Sequence, residues 1–312
     1  MIRHLHPTDS PALLPFKQAA GHAEACTLAR AVQGGPPRFS AVRYAGLALS
    51  PRAWQNCWVK TRRTSIQALL RAGPRSGRLA WEVRDLYVRP GYVSECAEVL
   101  EDIAAIAGRA GAHRIFLRTP GSSPVFEQAR RAGYVPVQSE TVYRTESALD
   151  AIQRLGVPDN SLELKEREPE DDHALFRLYC AATPVHCRTQ EAPTATEWQD
   201  AAERPGRRQK EWLLEGEGAR AAAWLQTADL RSGRWFAITW MAGESLNLPA
   251  LVSAALSDHD EGPAVTVVPE HRQPLAVLLE EAGFRATGVY DLMVKTLAAR
   301  VAQPRGAVAA VG

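Results

Sequence analysis

The amino-acid sequence predicts an α/β protein made of two tandem domains that share one plan. Strand-like and helix-like segments alternate along both halves of the 312-residue chain. The halves also begin and end with matching patterns in the same order. We therefore expect an N-terminal domain at residues 1–155, a C-terminal domain at 156–300 and a flexible tail at 301–312.

Both halves open with the same short pattern. The segment "IRHLHPTDSPALL" has a later counterpart in "LKEREPEDDHALF", where Pro7 and Asp9 fall on Pro169 and Asp171 at a single offset. In each copy an alternating segment leads to an acidic cap and then to an apolar helical pattern. A strand followed by a helix is predicted at both places.

Both halves also close alike, with "EQARRAGY" in the first and "LLEEAGF" in the second. Gly133 and Gly283 stand where the C-terminus of a helix favours a positive φ, and Tyr134 and Phe284 follow directly. β-rich sequence comes next in each case, so a helix, a turn and a strand are predicted twice.

The elements of the N-terminal half follow in order. "SIQALLRAG" and "RLAWEVRDLYV" predict neighbouring strands joined by the turn "PRSG". An apolar face predicts a helix from about Glu95 to Ala110. "HRIFLRT", "SSPVFEQARRAG" and "PVQSETVYR" then predict a strand, a helix and a strand.

The C-terminal half is predicted to repeat this order after a cluster of turn formers that includes Gly156 and Pro158. A hairpin is expected around Gly216 and Gly218, followed by the strand "RWFAITWMA". Asn247 can cap the helix "PALVSAALSD". "PAVTVVP", "QPLAVLLEEAG" and "YDLMVKTL" complete the strand, helix and strand.

Composition narrows the class of partner and the compartment. The net charge is +2, with 37 basic and 35 acidic side chains spread along the chain, which argues against nucleic acid and membrane surfaces. Five scattered cysteines without a C-x-x-C pair favour reduced thiols in the cytoplasm. We expect no metal site, and the acidic segment "SDHDEG" is interpreted as a solvated turn.

The order of elements and the paired "A-G-[YF]" endings resemble the GNAT superfamily of acyl-CoA-dependent N-acetyltransferases in a tandem form. The resemblance rests on "LYV" at residues 86–88, the helix after it, "AHRIFLRT" and "EQARRAGY". It implies a mixed, mostly antiparallel twisted sheet flanked by helices in each half. It also implies acetyl-CoA as cofactor, an amine as acceptor, and pairing of domains within a chain or in a homodimer.

The resemblance also implies where the cofactor binds. In the family the fourth strand ends in a bulge that pairs with the pantetheine arm, and a loop of pattern [QR]-x-x-G-x-[GA] wraps the pyrophosphate. The motif falls on residues 91–96, with Ser94 and Cys96 at the two small positions. The implied cofactor residues are Leu86, Tyr87, Val88, Val93, Ser94, Glu95, Cys96 and Ala97.

Acidic residues around this loop leave two interpretations open. Glu95, Glu98, Glu101 and Asp102 crowd the first turns of the predicted helix. They either stabilise their own helix or coexist with a working phosphate site. The second half has no comparable pair of small residues in "AGESLNLPALV", so the N-terminal half is expected to be the cofactor-binding one.

Candidate catalytic residues come from the same resemblance. The expected base is Glu82 on the fourth strand; Asp85 lies three residues later and faces the opposite side on a regular strand. The family's usual acid, a Tyr four residues before the closing Gly, is replaced by Ala129 and Leu279. Tyr143 on the last strand is the substitute candidate, although strand aromatics are commonly packing residues.

Two functions remain open from the sequence, beside a third possibility that the repeats only form a structural pairing unit by packing as an intramolecular pseudo-dimer. The first is acetyl transfer from acetyl-CoA to an amine. The second is a non-catalytic module that keeps the transferase fold and binds a ligand or a protein. The adjacent pair His186 and Cys187 is not expected to form a nucleophilic site, because neighbouring residues project differently.

Overall fold

A computed structural model describes residues 2–50, 54–157, 162–216, 220–241, 246–257 and 262–297. The predicted tail, Gly218 and the acidic residues of "SDHDEG" lie outside these ranges. The N-terminal half contains β1 (Arg3–His4), α1 (Ser10–Ala19), β2 (Ala25–Cys26), α2 (Leu28–Val32), α3 (Ala41–Ala48), β3 (Cys57–Arg62), β4 (Ser65–Pro74), β5 (Ala80–Val88), α4 (Cys96–Arg109), β6 (Arg114–Pro120), α5 (Val125–Arg131), β7 (Val135–Thr145) and α6 (Ala148–Leu155).

The C-terminal half repeats this order, except that its described residues contain no strand equivalent to β2 before the hairpin. Its elements are β8 (Lys165–Glu166), α7 (Asp172–Ala182), α8 (Val185–Glu191), α9 (Ala195–Ala201), β9 (Arg207–Gly216), β10 (Arg220–Leu230), β11 (Gly233–Trp240), α10 (Leu248–Ser257), β12 (Ala264–Pro269), α11 (Gln273–Glu281) and β13 (Arg285–Thr296). The predicted α/β class and the tandem plan are confirmed.

The strands form one continuous sheet in the order β1-β3-β4-β5-β6-β13-β7-β12-β11-β10-β9-β8. The strand pairs are antiparallel except for β5 with β6 and β11 with β12, which are parallel. The predicted mixed, mostly antiparallel sheet is therefore confirmed. The sequence did not indicate that the sheets of the two halves join edge to edge.

The join arises because the halves exchange their last strands. β7 pairs with β12 of the C-terminal half, for example Tyr143 with Thr266. β13 pairs with β6 of the N-terminal half, for example Met293 with Leu117. β7 and β13 also pair with each other. Hydrogen bonding in the sheet thus makes each half incomplete without the other.

The predicted boundary between residues 155 and 156 follows α6. Residues 158–161 lie outside the described ranges, and the boundary stays a prediction. By packing, α6 already belongs with the C-terminal half, since Ala148 and Ala151 are buried in the core formed by α10 and α11.

The matching starts of the halves have one physical cause. The carboxylate of Asp9 accepts the backbone N–H of His6 at 2.8 Å, and Asp171 accepts that of Glu168 at the same distance. Each acid thereby closes a short 3-10 turn ahead of α1 or α7. The predicted acidic caps are confirmed.

The matching ends are confirmed as well. Gly133 and Gly283 have φ of +81° and +89°, which side chains with a Cβ rarely adopt. Tyr134 and Phe284 fold back and are buried against the helices that these glycines end. Asn247 accepts the N–H of Ala250 at 3.1 Å, so the predicted cap of α10 is also present.

Helices cover both faces of the sheet. On one face α4 and α5 pack on the N-terminal strands, and α10 and α11 pack on the C-terminal strands. On the other face α1 and α3 cover the N-terminal strands, while α7 covers the C-terminal ones. None of the helices in the described ranges has the length and apolar character needed to cross a membrane.

Segment 195–203 of the C-terminal half reaches across to the N-terminal half. Asp200 holds the β4–β5 turn: its carboxylate accepts the N–H of Leu79 at 2.8 Å, and its carbonyl accepts the N–H groups of Ser76 and Gly77 at 3.2 Å. A Cβ on Gly77 would overlap the Asp200 carboxylate. This contact places the residues after α9 over the centre of the sheet.

Candidate functional site

The parallel strands β5 and β6 separate after a short common stretch. Their pairing covers residues 80–83 of β5 and 114–117 of β6. The register of β5 against β4 shifts between Val83 and Asp85, so Arg84 forms a β-bulge. The bulge and the splay beyond it reproduce the geometry that the resemblance implies for a pantetheine slot.

The chain itself occupies this N-terminal slot. β2 pairs with the free edge of β5, with Ala25 opposite Leu86 and Cys26 opposite Asp85. The N–H of Glu24 also donates to the carbonyl of Leu86 at 2.7 Å. Ala25 and Cys26 are fully buried. The backbone edge that a pantetheine arm would need is therefore already hydrogen-bonded.

Glu24 carries a carboxylate toward the first residue of α4, where the resemblance implies a pyrophosphate site. Ser123, just before α5, donates its hydroxyl to Glu24 Oε2 at 2.7 Å. The charge of Glu24 also acts on Cys96, the first residue of α4. Burial, with the charges of Glu24 and Glu95, raises the pKa of the Cys96 thiol to about 12. Cys96 is therefore not an activated nucleophile.

The predicted loop residues lie as the sequence places them. Val93, Ser94 and Glu95 form a 3-10 turn, and Cys96 and Ala97 begin α4. Lys60 pairs with the carboxylates of Glu98 and Glu95, the latter at 3.5 Å.

The remaining predicted cofactor residues have other backbone partners. Leu86 pairs with β2, while Tyr87 and Val88 pair with Leu69 and Ala68 of β4. The backbone of β5 is therefore paired on both sides, and the carboxylate of Glu24 lies near the start of α4. These two features do not fit acetyl-CoA in the N-terminal half.

Glu82, the predicted base, lies on the face of β5 opposite α4. It is 3.5 Å from Arg75 Nε and 3.6 Å from Arg84 Nε, and it lines a cavity of about 410 Å³. Burial raises its pKa above the usual value, and Arg75 opposes this shift.

The expectation that Glu82 and Asp85 face opposite sides is wrong because the bulge at Arg84 changes the alternation. Trp81 and Leu86 both pack in the α4 core, so Glu82 and Asp85 share the other face. Asp85 is 1% exposed and accepts hydrogen bonds from Tyr44 at 3.1 Å and Arg71 at 2.9 Å. A buried carboxylate with these partners is structural.

Tyr143, the predicted acid, is not brought near Glu82. It lies on the part of β7 that pairs with β12 and packs in the C-terminal core. Its hydroxyl donates to Glu280 Oε1 at 3.0 Å. The two predicted catalytic residues therefore do not form one site.

The equivalent slot of the C-terminal half has a different structure. Pairing of β11 with β12 ends at Phe236 opposite Thr266, and no described strand pairs with that edge beyond it. Pairing of β10 with β11 shows no register shift, so the bulge is absent here. Residues 242–245, which follow β11 in the sequence, lie outside the described ranges.

A side chain spans the mouth of the C-terminal slot. Arg272, which follows β12, donates Nη1 to the carbonyl of Trp240 at the end of β11 at 3.0 Å. Its guanidinium lies 4.2 Å from the centre of the Trp240 ring. Arg272 is 7% exposed, and burial lowers its pKa to about 10.

A cavity of about 470 Å³, here called the central cavity, lies on the same face as α7–α9. Gln226 of β10 and Glu140 of β7 line this cavity. Their cross-strand partners, Ala237 of β11 and Pro269 of β12, border the C-terminal slot. Five carboxylates, three guanidinium groups and four aromatic rings contribute to its wall: Glu140, Asp172, Glu191, Glu203 and Glu211; Arg75, Arg167 and Arg204; Phe116, Tyr179, Trp198 and Trp224.

Arg118 lies beneath the cavity and joins the halves. It is 3% exposed and donates Nε to Glu140 Oε2 at 2.7 Å. Its Nη1 and Nη2 donate to Glu203 at 2.8 and 2.7 Å. The charge of Arg118 holds the pKa of Glu203 at about 2 against the opposing effect of burial. Arg118 thus pairs with both carboxylates, and Arg75 Nη2, 3.6 Å from Glu203, supplies a second positive charge.

Glu191 differs from the other carboxylates of the cavity. No guanidinium or ammonium group among the described residues lies within 4 Å of it. Tyr179 donates its hydroxyl to Glu191 Oε2 at 3.2 Å. Burial and then the charge of Glu140 raise the pKa of Glu191 to about 7. No pattern in the sequence pointed to this residue, which lies at the end of α8 and outside the motifs of the family resemblance.

Contrary to the expectation that their side chains project apart, His186 and Cys187 lie within hydrogen-bond distance of each other. Cys187 is buried, with its Sγ 3.3 Å from the carbonyl of Val137 and 3.2 Å from His186 Nε2. Burial raises the pKa of its thiol to about 11. The thiol therefore stays protonated, as expected for a packing residue.

Comparison with known proteins identifies the fold. No protein-family model and no curated protein matches the sequence. The structure is similar to a GCN5-related N-acetyltransferase from Sphaerobacter thermophilus, with a TM-score of 0.50 and 14% identity over 95% of both chains. A conserved protein of unknown function from Staphylococcus epidermidis also has a TM-score of 0.50, with 8% identity over 70% of this chain and 85% of its own.

A tandem GNAT protein from the clavulanic acid biosynthesis pathway aligns over 95% of this chain and 98% of its own, at 15% identity and a TM-score of 0.48. That score supports no separate argument. At the identities found, the similarities show a common fold: this chain has the N-acetyltransferase fold over nearly its whole length.

Proposed function

We propose that this protein is a ligand-binding protein built on the acetyltransferase fold, with the central cavity as its binding site and no acetyl-CoA bound in its N-terminal half. The observation that carries the proposal is the pairing of β2 with β5, which fills the N-terminal slot. This is the second of the two functions that the sequence left open.

Admitting a cofactor to that slot would have two costs. The hydrogen bonds from Glu24 N–H to Leu86 and from Ser123 to Glu24 would break, at roughly 1 kcal/mol net for each neutral bond and more for the charged one. A phosphate about 6 Å from a carboxylate would also be repelled by roughly 1 to 3 kcal/mol. Glu95 and Glu98 at the start of α4 add less to this repulsion, because Lys60 pairs with both carboxylates.

The C-terminal slot gives this proposal weaker support. It lacks the bulge that the family resemblance implies, and Arg272 already occupies the carbonyl of Trp240. Neither feature blocks the slot with a paired strand, as β2 does at the edge of β5.

Calorimetry with acetyl-CoA tests the proposal. We expect no saturable heat at millimolar acetyl-CoA for the wild-type protein or for Ser94→Trp, which would fill the loop at α4. Saturable binding that Ser94→Trp abolishes would overturn the proposal and restore the N-terminal half as cofactor site. Binding that Ser94→Trp leaves intact would direct attention to the C-terminal slot.

One observation favours a second candidate, acyl transfer to an amine at the C-terminal half. Glu191, with a pKa near 7, lines a cavity that borders the C-terminal slot. A carboxylate with such a pKa can take a proton from an ammonium group near neutral pH. Acetyl-CoA, if bound in that slot, would supply the acyl group.

Release of free thiol from acetyl-CoA in the presence of a panel of amines distinguishes the two candidates. Turnover by the wild-type protein that Glu191→Gln removes and Glu127→Gln keeps would establish the second candidate. Glu127 is a suitable control because it is an exposed carboxylate on α5. We expect no turnover.

A further inference from the structure

We propose that the central cavity binds a small organic cation between its tryptophan rings and Glu191. The proposal rests on the ligand-binding function proposed above and gives that ligand a chemical class. It draws on three features of the cavity: its aromatic wall, its balance of charges and its size.

Aromatic rings form one wall. The ring centres of Trp198 and Trp224 are 5.8 Å apart with planes at 58°, and those of Tyr179 and Trp198 are 6.3 Å apart. All three residues line the cavity, and both tryptophans are only partly buried. Trp198 and Trp224 pack against each other at a tilt, and both line the cavity, where an exposed ring face attracts a cation that has lost part of its water.

The charges of the wall select against an anion. Arg167 pairs with Asp172 and lies 3.6 Å from Glu211. Arg75 stacks on Phe116 at 3.7 Å and lies 3.6 Å from Glu203. With five carboxylates against three guanidinium groups, the wall carries an excess of negative charge, which favours a cation over an anion.

Glu191 remains as the acceptor for a positive charge. Its described hydrogen-bond partner is the neutral hydroxyl of Tyr179, and Glu140 adds a second negative charge nearby. A cation beside Glu191 would replace the missing counter-charge. An ammonium group would make both a charge-assisted contact with Glu191 and a cation–π interaction with the rings. A neutral ligand of the same shape would make only van der Waals contacts.

The volume restricts the ligand to small molecules. About 470 Å³ is in the range of ordinary ligand pockets and admits an alkylammonium or a quaternary ammonium compound. A quaternary ammonium ion is the sharper probe because it has no N–H to be acylated. Its binding therefore reports recognition of charge and cannot be a first step of N-acyl transfer.

The test compares choline with 3,3-dimethylbutan-1-ol, its uncharged carbon isostere, by calorimetry at pH 8, where Glu191 is ionised. We expect saturable binding of choline and at least tenfold weaker binding of the alcohol. Glu191→Gln, which can keep the hydrogen bond from Tyr179, should weaken choline binding about tenfold or more. Trp198→Leu should weaken it similarly, and Glu127→Gln should leave it unchanged.

Three results would overturn the proposal: no choline binding, equal binding of choline and the alcohol, or equal affinity in the wild type and both cavity variants. Unfolding curves of each variant show whether a loss of binding reflects loss of the fold. Since acetyl-CoA is absent from this experiment, its result is separate from that of the acetyl-CoA titration. Choline binding combined with acetyl-CoA turnover would keep the cation site and replace the non-catalytic function.

Discussion

The slots of the two halves begin as the same structure and end as different ones. In both, two parallel strands pair for three or four residues and then separate. In the N-terminal half the gap holds β2 and the Glu24 carboxylate. In the C-terminal half, among the residues described, a single guanidinium, that of Arg272, reaches across the mouth.

The comparison shows that the unpaired backbone groups between two separating parallel strands can find hydrogen-bond partners in more than one way. Each splay leaves backbone N–H and C=O groups without a strand partner, and such groups are costly when buried. A cofactor can satisfy them, but so can a neighbouring piece of chain or an arginine. The fold alone therefore does not establish that a cofactor binds.

The largest expected effect comes from the charge that joins the halves. Arg118 on β6 corresponds to Val268 on β12 at the offset that aligns Gly133 with Gly283. Arg118→Met would leave Glu140 and Glu203 without their guanidinium, so we expect a loss of about 3 to 5 kcal/mol in the free energy of unfolding. Chemical denaturation at pH 8 measures it.

The matched change in the C-terminal half is Val268→Ala, which removes only apolar contact and should cost about 2 kcal/mol. The exposed variant Arg130→Met should be nearly neutral. If Arg118→Met were as mild as Arg130→Met, the central ion network would not stabilise the contact between the halves.

A smaller effect is expected at the turns that precede the slots. Gly233 has φ of +122°, and an added Cβ would overlap the carbonyl oxygen of Pro263. That carbonyl accepts the N–H of Arg234 at 2.9 Å and cannot move freely. Gly233→Ala should therefore cost about 3 kcal/mol.

Gly77→Ala is the counterpart in the N-terminal half and should cost about 1 kcal/mol, because the Asp200 side chain can turn away at the expense of its bond to Leu79. Thermal unfolding of both variants provides the comparison. Equal losses would show that backbone strain at Gly233 contributes little.

An effect smaller than those at Arg118 and Gly233 is expected at Glu191, which corresponds to Ala29 at the offset that aligns Pro7 with Pro169. The pKa of Glu191 is raised to about 7 in the folded protein, so the folded state holds a proton that the unfolded state has released. Stability from this group is present below the unfolded pKa and is lost as pH rises through about 7.

Glu191→Gln does not titrate and should therefore be more stable than the wild type at pH 8, by about 2 kcal/mol, with little difference near pH 4. Unfolding curves at several pH values measure the difference. A difference that stays constant with pH, as expected for Glu127→Gln, would contradict the environment inferred for Glu191.

Much of the fold followed from the sequence because its signals are local. The caps at Asp9 and Asp171 and the turns at Gly133 and Gly283 depend on neighbours a few residues away, and all four are present. The apolar face of α4 and the alternation of β5 likewise placed these elements within two or three residues of their bounds.

Predictions about the site were less successful, since they assumed regular geometry. The bulge at Arg84 turned Glu82 and Asp85 to one face, and the exchange of last strands carried Tyr143 into the C-terminal core. Glu191 was missed because its unusual pKa comes from burial and from Glu140 on a distant strand.

The sequence by itself determined the element order, the internal repeat and the acidic start of α4, because helix caps, turns and periodicity act over a few residues. Only the tertiary structure decided which strands exchange, what fills each slot and which carboxylate lacks a counter-charge. Those outcomes depend on backbone edges and charges that meet from far apart in the chain, where desolvation makes every unpaired group costly.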